Sequence, residues 1–372
     1  MNKEKLSVIA LNMVAELGPK KITALIDFFD GAYNVLNASL KDLRSVDKIT
    51  EKIALGIKRA ADSNAAEKEI CLAKDNGIDI LVYTDNNYPS QLKDIYDFPP
   101  VIYVKGEIIK NDALSIGVVG SRMPTNYGRT VTSSFCRYFA ENEITVISGL
   151  ARGIDTEAHK AALKYGGRTV AVLGNGLMEY YPKENMKLQE EISASSAVVS
   201  EFPLTQRPDK YHFPRRNRII AGLSIGTLVV EAAASSGAII TAELAVEYGR
   251  DVFAVPGPIF SAYSKGPNNL IKNGSLMALE PQDIVNEINS LSQWVNKKKK
   301  NKKINIGNIS DIKDKNSINV LKMVKSFANG ISADELSECL KIDIPELSTV
   351  LIELELNGLI KSMPGQIYII NS

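Results

Sequence analysis

The sequence predicts an α/β protein, with a parallel-sheet core between a helical N-terminal region and a small C-terminal module. Three observations predict it. Apolar residues recur at helical spacing as far as Cys71. From Leu114 onward, short β-rich runs alternate with helical stretches, and several of the runs end in glycine. Beyond Ser317, three helical faces precede two short apolar runs. A chain of 372 residues suits two or three domains. We place the boundaries at 1–75, 76–290, a linker at 291–314, and 315–372.

Composition narrows the class. Hydrophobic residues make up 45% and charged residues 23%, ordinary for a globular protein. The formal net charge is only +1, so an anion-binding face has to come from local clustering. Cys71, Cys136 and Cys339 lie far apart and imply neither a disulfide framework nor a metal-binding pair. No apolar run reaches the length of a membrane span, and no leader pattern is visible. A cytoplasmic protein with no membrane span is expected.

In the first region, Leu6, Ile9, Ala10 and Met13 share a helical face. The Leu17-Gly-Pro-Lys-Lys-Ile22 stretch ends that helix and starts another, with Pro19 in its first turn. Val46-Asp-Lys-Ile-Thr50 reads as a second turn before a helix. The region is read as a helical domain of helix-hairpin-helix or SAM-like type; a plain protein-interaction module fits as well. Residues 78–106, with a strand at Ile80-Leu-Val-Tyr83, read as the lead-in to the central domain.

Central strands are expected at 114–119, 145–148, 169–173, 197–200, 227–230 and 251–255, with helices between them. Such sheets bind ligands beyond the carboxyl ends of their strands. Glycine-rich turns fall there: Gly120-Ser-Arg122, Ser148-Gly-Leu-Ala-Arg-Gly153, Gly174-Asn-Gly176 and Ser236-Gly237. Backbone amides at such turns favour anions, and Arg122 adds a forked phosphate donor. The dinucleotide fingerprint and the P-loop are both missing. His159 and His212 have no partner at metal-ligand spacing, so no metal or other cofactor is expected. His159 reads as a structural hydrogen-bonding group; His212, beside Phe213, could touch ligand. Glu231 reads as a group that positions a neighbouring loop.

The stretch from Arg207 to Arg218 is the strongest local cluster. It carries Arg207, Lys210, Arg215, Arg216 and Arg218 against the single acid Asp209, with Tyr211 and Phe213 among them. Cations interleaved with rings suit a phosphate backbone and a stacked base.

Together with Tyr181-Pro182, Ser200-Glu-Phe-Pro203, Phe213-Pro-Arg-Arg-Asn-Arg-Ile-Ile-Ala-Gly-Leu-Ser224 and Gly249-Arg-Asp-Val-Phe-Ala-Val-Pro-Gly257, these motifs resemble those of the DNA-processing family DprA, also called Smf. The resemblance covers about residues 83–281. It implies an extended Rossmann-like domain that binds single-stranded DNA, loads RecA recombinase onto incoming strands in natural transformation, and forms a homodimer. It implies phosphate contacts at Gly120, Ser121 and Arg122, and a second cation at Lys183. It places Phe213 near a base, and Arg216, Asn217 and Arg218 near the backbone. Ser148, Gly149, Ser236 and Gly237 would line the same pocket. Self-association is placed after Pro256, including Ile259 and Leu270.

Lys297-Lys-Lys-Lys-Asn-Lys-Lys303 reads as a flexible basic tether. The last module, three helices and a hairpin around Met363-Pro-Gly365, reads as a winged helix. Its third helix carries Glu346, Glu353 and Glu355, which suits a protein partner better than a DNA groove. A non-catalytic DNA binder is therefore the expected function. The alternative is a nucleotide phosphoribohydrolase-like enzyme, because Gly226-Thr-Leu-Val-Val-Glu231 resembles its GTxxE; the glycine pair that precedes it in that family is absent.

Overall fold

The computed structural model describes residues 2–305, 314–327, 330–356, 359–363 and 365–370. It falls into two compact units, 1–292 and 293–372.

The first unit opens with helices α1 (Lys3–Asn12), α2 (Pro19–Phe29), α3 (Ala32–Asn37), α4 (Leu40–Ser45), α5 (Glu51–Ala61) and α6 (Ala65–Asp75). Local chemistry sets their ends. The side chains of Asn2, Ser39 and Thr50 accept from the first-turn amides of α1, α4 and α5. Pro19 sits in the first turn of α2. Glu4 of α1 accepts from the amides of Ala32 and Tyr33 and so caps α3. Residues 46–50 turn between α4 and α5, with Lys48 at φ 61°.

The sheet has nine strands: β1 (Ile78–Val82), β2 (Val101–Gly106), β3 (Ser115–Val119), β4 (Thr145–Ser148), β5 (Thr169–Leu173), β6 (Ala197–Ser200), β7 (Gly226–Val229), β8 (Asp251–Ala254) and β9 (Leu276–Met277). Their spatial order is β1-β2-β6-β5-β4-β3-β7-β8-β9. From β6 to β9 all neighbours are parallel. β1 and β2 extend that sheet antiparallel at one edge, so residues 78–106 belong to it directly. Every residue of β3, β4, β5, β6 and β7 is buried. That is why these strands read as unbroken apolar runs. The chain steps from β3 outward to β6, then returns to the other side of β3 with β7. This leaves a topological switch between β3 and β7, where a crevice opens in Rossmann-like sheets.

Helices α7 (Ser90–Lys93), α8 (Asn126–Glu141), α9 (Ile154–Lys164), α10 (Met186–Ser195), α11 (His212–Leu223), α12 (Gly237–Glu247), α13 (Lys265–Lys272) and α14 (Pro281–Glu287) complete the layers. The second half of the basic stretch, from His212, is thus the start of a helix, α11. Helix α15 (Asn289–Asn305) runs through residues 297–303, where the sequence suggests a tether.

The helical region shares its core with the sheet. Leu11, Leu25 and Ile57 belong to one buried cluster with Tyr103, Leu173, Val198 and Leu204. Two polar contacts fix the join. Asn12 Nδ2 donates to the Glu201 carbonyl at 3.1 Å, and Glu69 Oε1 accepts from the Leu204 amide at 2.7 Å.

In the second unit, α16 (Lys315–Ser326), β10 (Ile331–Ser332), α17 (Ala333–Leu340), α18 (Ile344–Leu356), β11 (Ile360–Met363) and β12 (Ile367–Ile370) form a winged helix. The strand order is β10-β12-β11. Val320, Val324, Leu336, Leu347, Leu351, Leu354 and Ile360 fill its core. Ser332 and Glu335 form a reciprocal cap at the start of α17.

Glu69→Ala should lower stability in urea unfolding by about 1–3 kcal/mol, because the Leu204 amide stays buried without an acceptor. Exposed Glu67→Ala, on the same helix, should change it by about 0.5 kcal/mol or less.

Candidate nucleic-acid interface

A cleft of about 780 Å³ opens at the carboxyl ends of β3 and β7. The turn after β3 forms one lip. Ser121 donates its amide to the Glu231 carbonyl at 2.6 Å, and its Oγ accepts from the Met123 amide at 3.1 Å. Glu231, after β7, is buried. It accepts from the amide of Thr125 at 2.8 Å and from its hydroxyl at 2.7 Å. It therefore positions the 121–125 loop, as its sequence context suggests, and both carboxylate oxygens are engaged.

The floor is built on Arg216, which is 4% exposed. Its Nη1 donates to the carbonyls of Gly149 and Val172, at the ends of β4 and β5. Its Nε donates to Asn217 Oδ1 at 3.1 Å, and Asn217 Nδ2 donates to the Gly237 carbonyl at 3.0 Å. A side chain at position 149 would begin 2.3 Å from the guanidinium, so only glycine fits beneath it. Burial lowers the Arg216 pKa to about 10, against support from Asp155. The group stays charged at neutral pH.

Asp155, in the first turn of α9, also lines the cleft. Burial raises its pKa to about 6, with the Arg216 charge and the amides of Ala151 and Gly149 opposing the rise.

One wall is aromatic. The Phe213 and Tyr181 rings lie 5.4 Å apart at 34°. The guanidinium of Arg122 sits over the Phe213 ring, 5.7 Å from its centre. Position 174 must be glycine here too, since a Cβ would lie 2.8 Å from the ring. Lys210 and Asp209 flank this wall, and Ser236, Gly237, Ile240 and Tyr263 face it.

The sequence-derived residues divide accordingly. Gly120, Ser121, Arg122, Phe213, Arg216, Asn217, Ser236 and Gly237 all meet at the cleft. Ser236 caps α12, its Oγ accepting from the Ala238 amide at 3.2 Å. Gly149 lies behind Arg216. Ser148 is not a cleft hydroxyl: it is fully buried and donates to the Val118 carbonyl at 2.6 Å. Arg218 faces away, buried against Glu201 and donating to the Asp97 carbonyl at 2.7 Å. Arg215 joins it on Glu201 at 2.8 Å. The cause is helical phase. Residues 213, 216, 217 and 220 share the cleft face of α11, which a loop reading cannot reveal. Lys183 is exposed on a 3₁₀ turn, Lys183–Asn185, outside the cleft lining.

Lys210 stands in the basic stretch and Tyr181 in a family motif, but neither they nor Asp155 were given a place in the cleft from the sequence. Lys210 precedes Phe213 by three residues, and Tyr181 opens a Tyr-Pro pair; those were the available signals. His159 is structural, as expected. The Thr169 hydroxyl donates to the Val146 carbonyl and stands 2.7 Å from Nδ1, and burial pushes the imidazole pKa down to about 3. His212 stacks on Phe202, with ring centres 4.2 Å apart. Ile259 is exposed, whereas Leu270 is half-buried against the core.

Fold and cleft define a Rossmann-like α/β protein with a cleft at the switch point. Residues 79–289 match the family model of DNA recombination-mediator protein A, and residues 328–366 match the DprA winged helix domain. The chain belongs to the DNA recombination-mediator protein A family. It is 39% identical to protein Smf of Escherichia coli over 304 residues, 80% of this chain and 79% of that protein. It is 45% identical to the DNA processing protein DprA of Streptococcus pneumoniae over 203 residues, 55% of this chain and 72% of that one. The X-ray structure of the pneumococcal protein superposes with a TM-score of 0.68 at 35% identity, covering 77% of this chain and 99% of that one. A structure of DNA processing protein A from Helicobacter pylori, described for its single-stranded DNA binding mode, gives 0.51 at 28% identity over 56% of this chain and 94% of that one.

Arg216→Ala should cost about 3 kcal/mol or more in urea unfolding, since two strand-end carbonyls and a buried carboxyl lose their partner. Arg122→Ala, at the exposed lip, should cost about 0.5 kcal/mol or less. Two buried groups oppose each other in pH dependence. Folded Asp155 keeps a proton that the unfolded chain has released, so its contribution falls as pH rises from about 4 to 6. Folded His159 lacks a proton that the unfolded chain holds below 6.5, so its contribution rises with pH over that window. Relative to the parent, Asp155→Asn should therefore gain stability with pH by about 1.4 kcal/mol per unit between pH 4 and 6, read from urea midpoints.

Proposed function

We propose that this chain binds single-stranded DNA in the switch-point cleft without catalysing a reaction on it. We propose further that it protects incoming strands and loads RecA recombinase onto them during natural transformation, acting in the cytoplasm as a homodimer. The observation that carries the reading is the cleft wall itself. A ring able to stack a base, Phe213, lies under the Arg122 guanidinium, Lys210 lines the same cleft, and both cations are exposed at the mouth. A duplex keeps its bases in the stack and offers that ring little; a single strand offers a base and a phosphate together. The Helicobacter pylori relative, with its single-stranded DNA binding mode, supports the same reading. Among the described residues no helix is long and apolar enough to cross a membrane.

The enzyme reading is disfavoured by one observation. Glu231, the carboxylate its motif would use, is buried and holds Thr125 with both oxygens. Release of adenine from AMP by the purified protein would restore it.

Binding should be measured on single-stranded and duplex oligonucleotides across a salt series. Arg122→Ala should weaken single-strand binding and flatten the slope of log affinity against log salt by about 0.7, the share of one phosphate. Phe213→Ala should cost about 1–3 kcal/mol on the single strand and little on the duplex. Wild-type affinity in both variants would refute the cleft as the DNA site.

A further inference from the structure

The Phe213 ring is not vacant. Tyr181 lies 5.4 Å away on the wall, a Cβ at position 174 would begin 2.8 Å from the ring, and the Arg122 guanidinium lies over it at 5.7 Å. A base cannot stack on the covered side while the guanidinium stays there. From this geometry we infer that Arg122 is a resident placeholder: it occupies the base seat in the free protein and is displaced onto the phosphate by an arriving base. This rests on the reading of the cleft as a single-strand site.

Two properties of the site make the exchange feasible. The rest of the cleft floor is held independently of Arg122, through Arg216 on Gly149 and Val172 and through Asn217 on Gly237. The Arg122 side chain itself is exposed and forms no ion pair among the described residues, so its ring contact is the one it would give up. The two contacts compete for one side chain. A polyanion without bases must then pull Arg122 off the ring with nothing to replace it. A DNA strand fills the vacated seat with a base as it gains the phosphate contact. Arg122 thereby makes the cleft selective for a strand that carries base and phosphate together over a bare phosphate chain.

The test compares an oligothymidylate with a fully abasic strand of equal length on the full chain. Four proteins are used: parent, Phe213→Leu, Arg122→Ala and the double variant. Phe213→Leu should lose about fivefold or more in affinity for the oligothymidylate, because the stack is gone. The same substitution should gain about two- to fivefold for the abasic strand, because an exposed cation–ring contact no longer holds Arg122 back. That gain should vanish in the Arg122→Ala background. An unchanged or weakened affinity of Phe213→Leu for the abasic strand overturns the placeholder, as does a gain that survives Arg122→Ala. Unchanged affinity for the oligothymidylate in all variants overturns the cleft reading itself. If the urea midpoint of Phe213→Leu falls, Phe213→Met serves as the ring-free variant in the same cycle.

Discussion

Inside the floor of the cleft, one guanidinium joins the carbonyl ends of two neighbouring parallel strands. Arg216 comes from α11, yet its partners lie at the carboxyl ends of two strands: Gly149 just beyond β4, and Val172 one residue before the end of β5. Strand-end carbonyls beside a crevice have no further strand residue to pair with, and buried ones need a donor. Arg216 supplies it, and the rest of the site follows. Gly149 must lack a side chain beneath it, Asn217 is fixed beside it and reaches Gly237 at the start of α12, and Asp155 sits within its field. A cation that looks in the sequence like a phosphate ligand is the group that gives the cleft its shape. The cations at the mouth, Arg122 and Lys210, are exposed and lie instead over the rings of Phe213 and Tyr211.

The same helix separates the charges by role. Arg215 and Arg218 converge on Glu201, a buried acid after β6, while Phe213 and Arg216 point to the cleft. Burying a carboxylate is costly unless cations and donors surround it. Glu201 also lends its backbone carbonyl to Asn12 of α1. One residue thus ties the back of α11 to the helical region.

Much of the fold was legible. Unbroken apolar runs marked the buried parallel strands, and glycine turns marked their carboxyl ends. These signals are local, and local chemistry produces them. The site was legible only as a cluster. The charges of the basic stretch hid a helical period, so the buried Arg216 and Arg218 could not be told apart from the exposed Lys210. Ser148 looked available because a serine beside a glycine turn gives no hint that its hydroxyl closes onto a neighbouring strand. Lys210 and Asp155 acquire meaning only when the switch point brings α9, α11 and the β3 turn together. The antiparallel pair β1–β2 was missed as part of the sheet for the same reason: pairing partners over 90 residues apart, such as Tyr103 and Ser200, leave no trace in either segment alone.

The core shared between α1, α5 and the sheet has a bearing on how such a chain can be divided. Leu11, Ile57, Tyr103 and Val198 lie in one continuous apolar layer, with Glu69 and Asn12 satisfying backbone groups across it. The helical region is therefore a lid sealed onto the far edge of the sheet, on which the wall behind α11 leans. Glu201 joins the two, with its carboxylate on Arg215 and Arg218 and its carbonyl on Asn12. A chain shortened to begin at Ile78 would keep every residue of the cleft and still leave that wall wet on its other side.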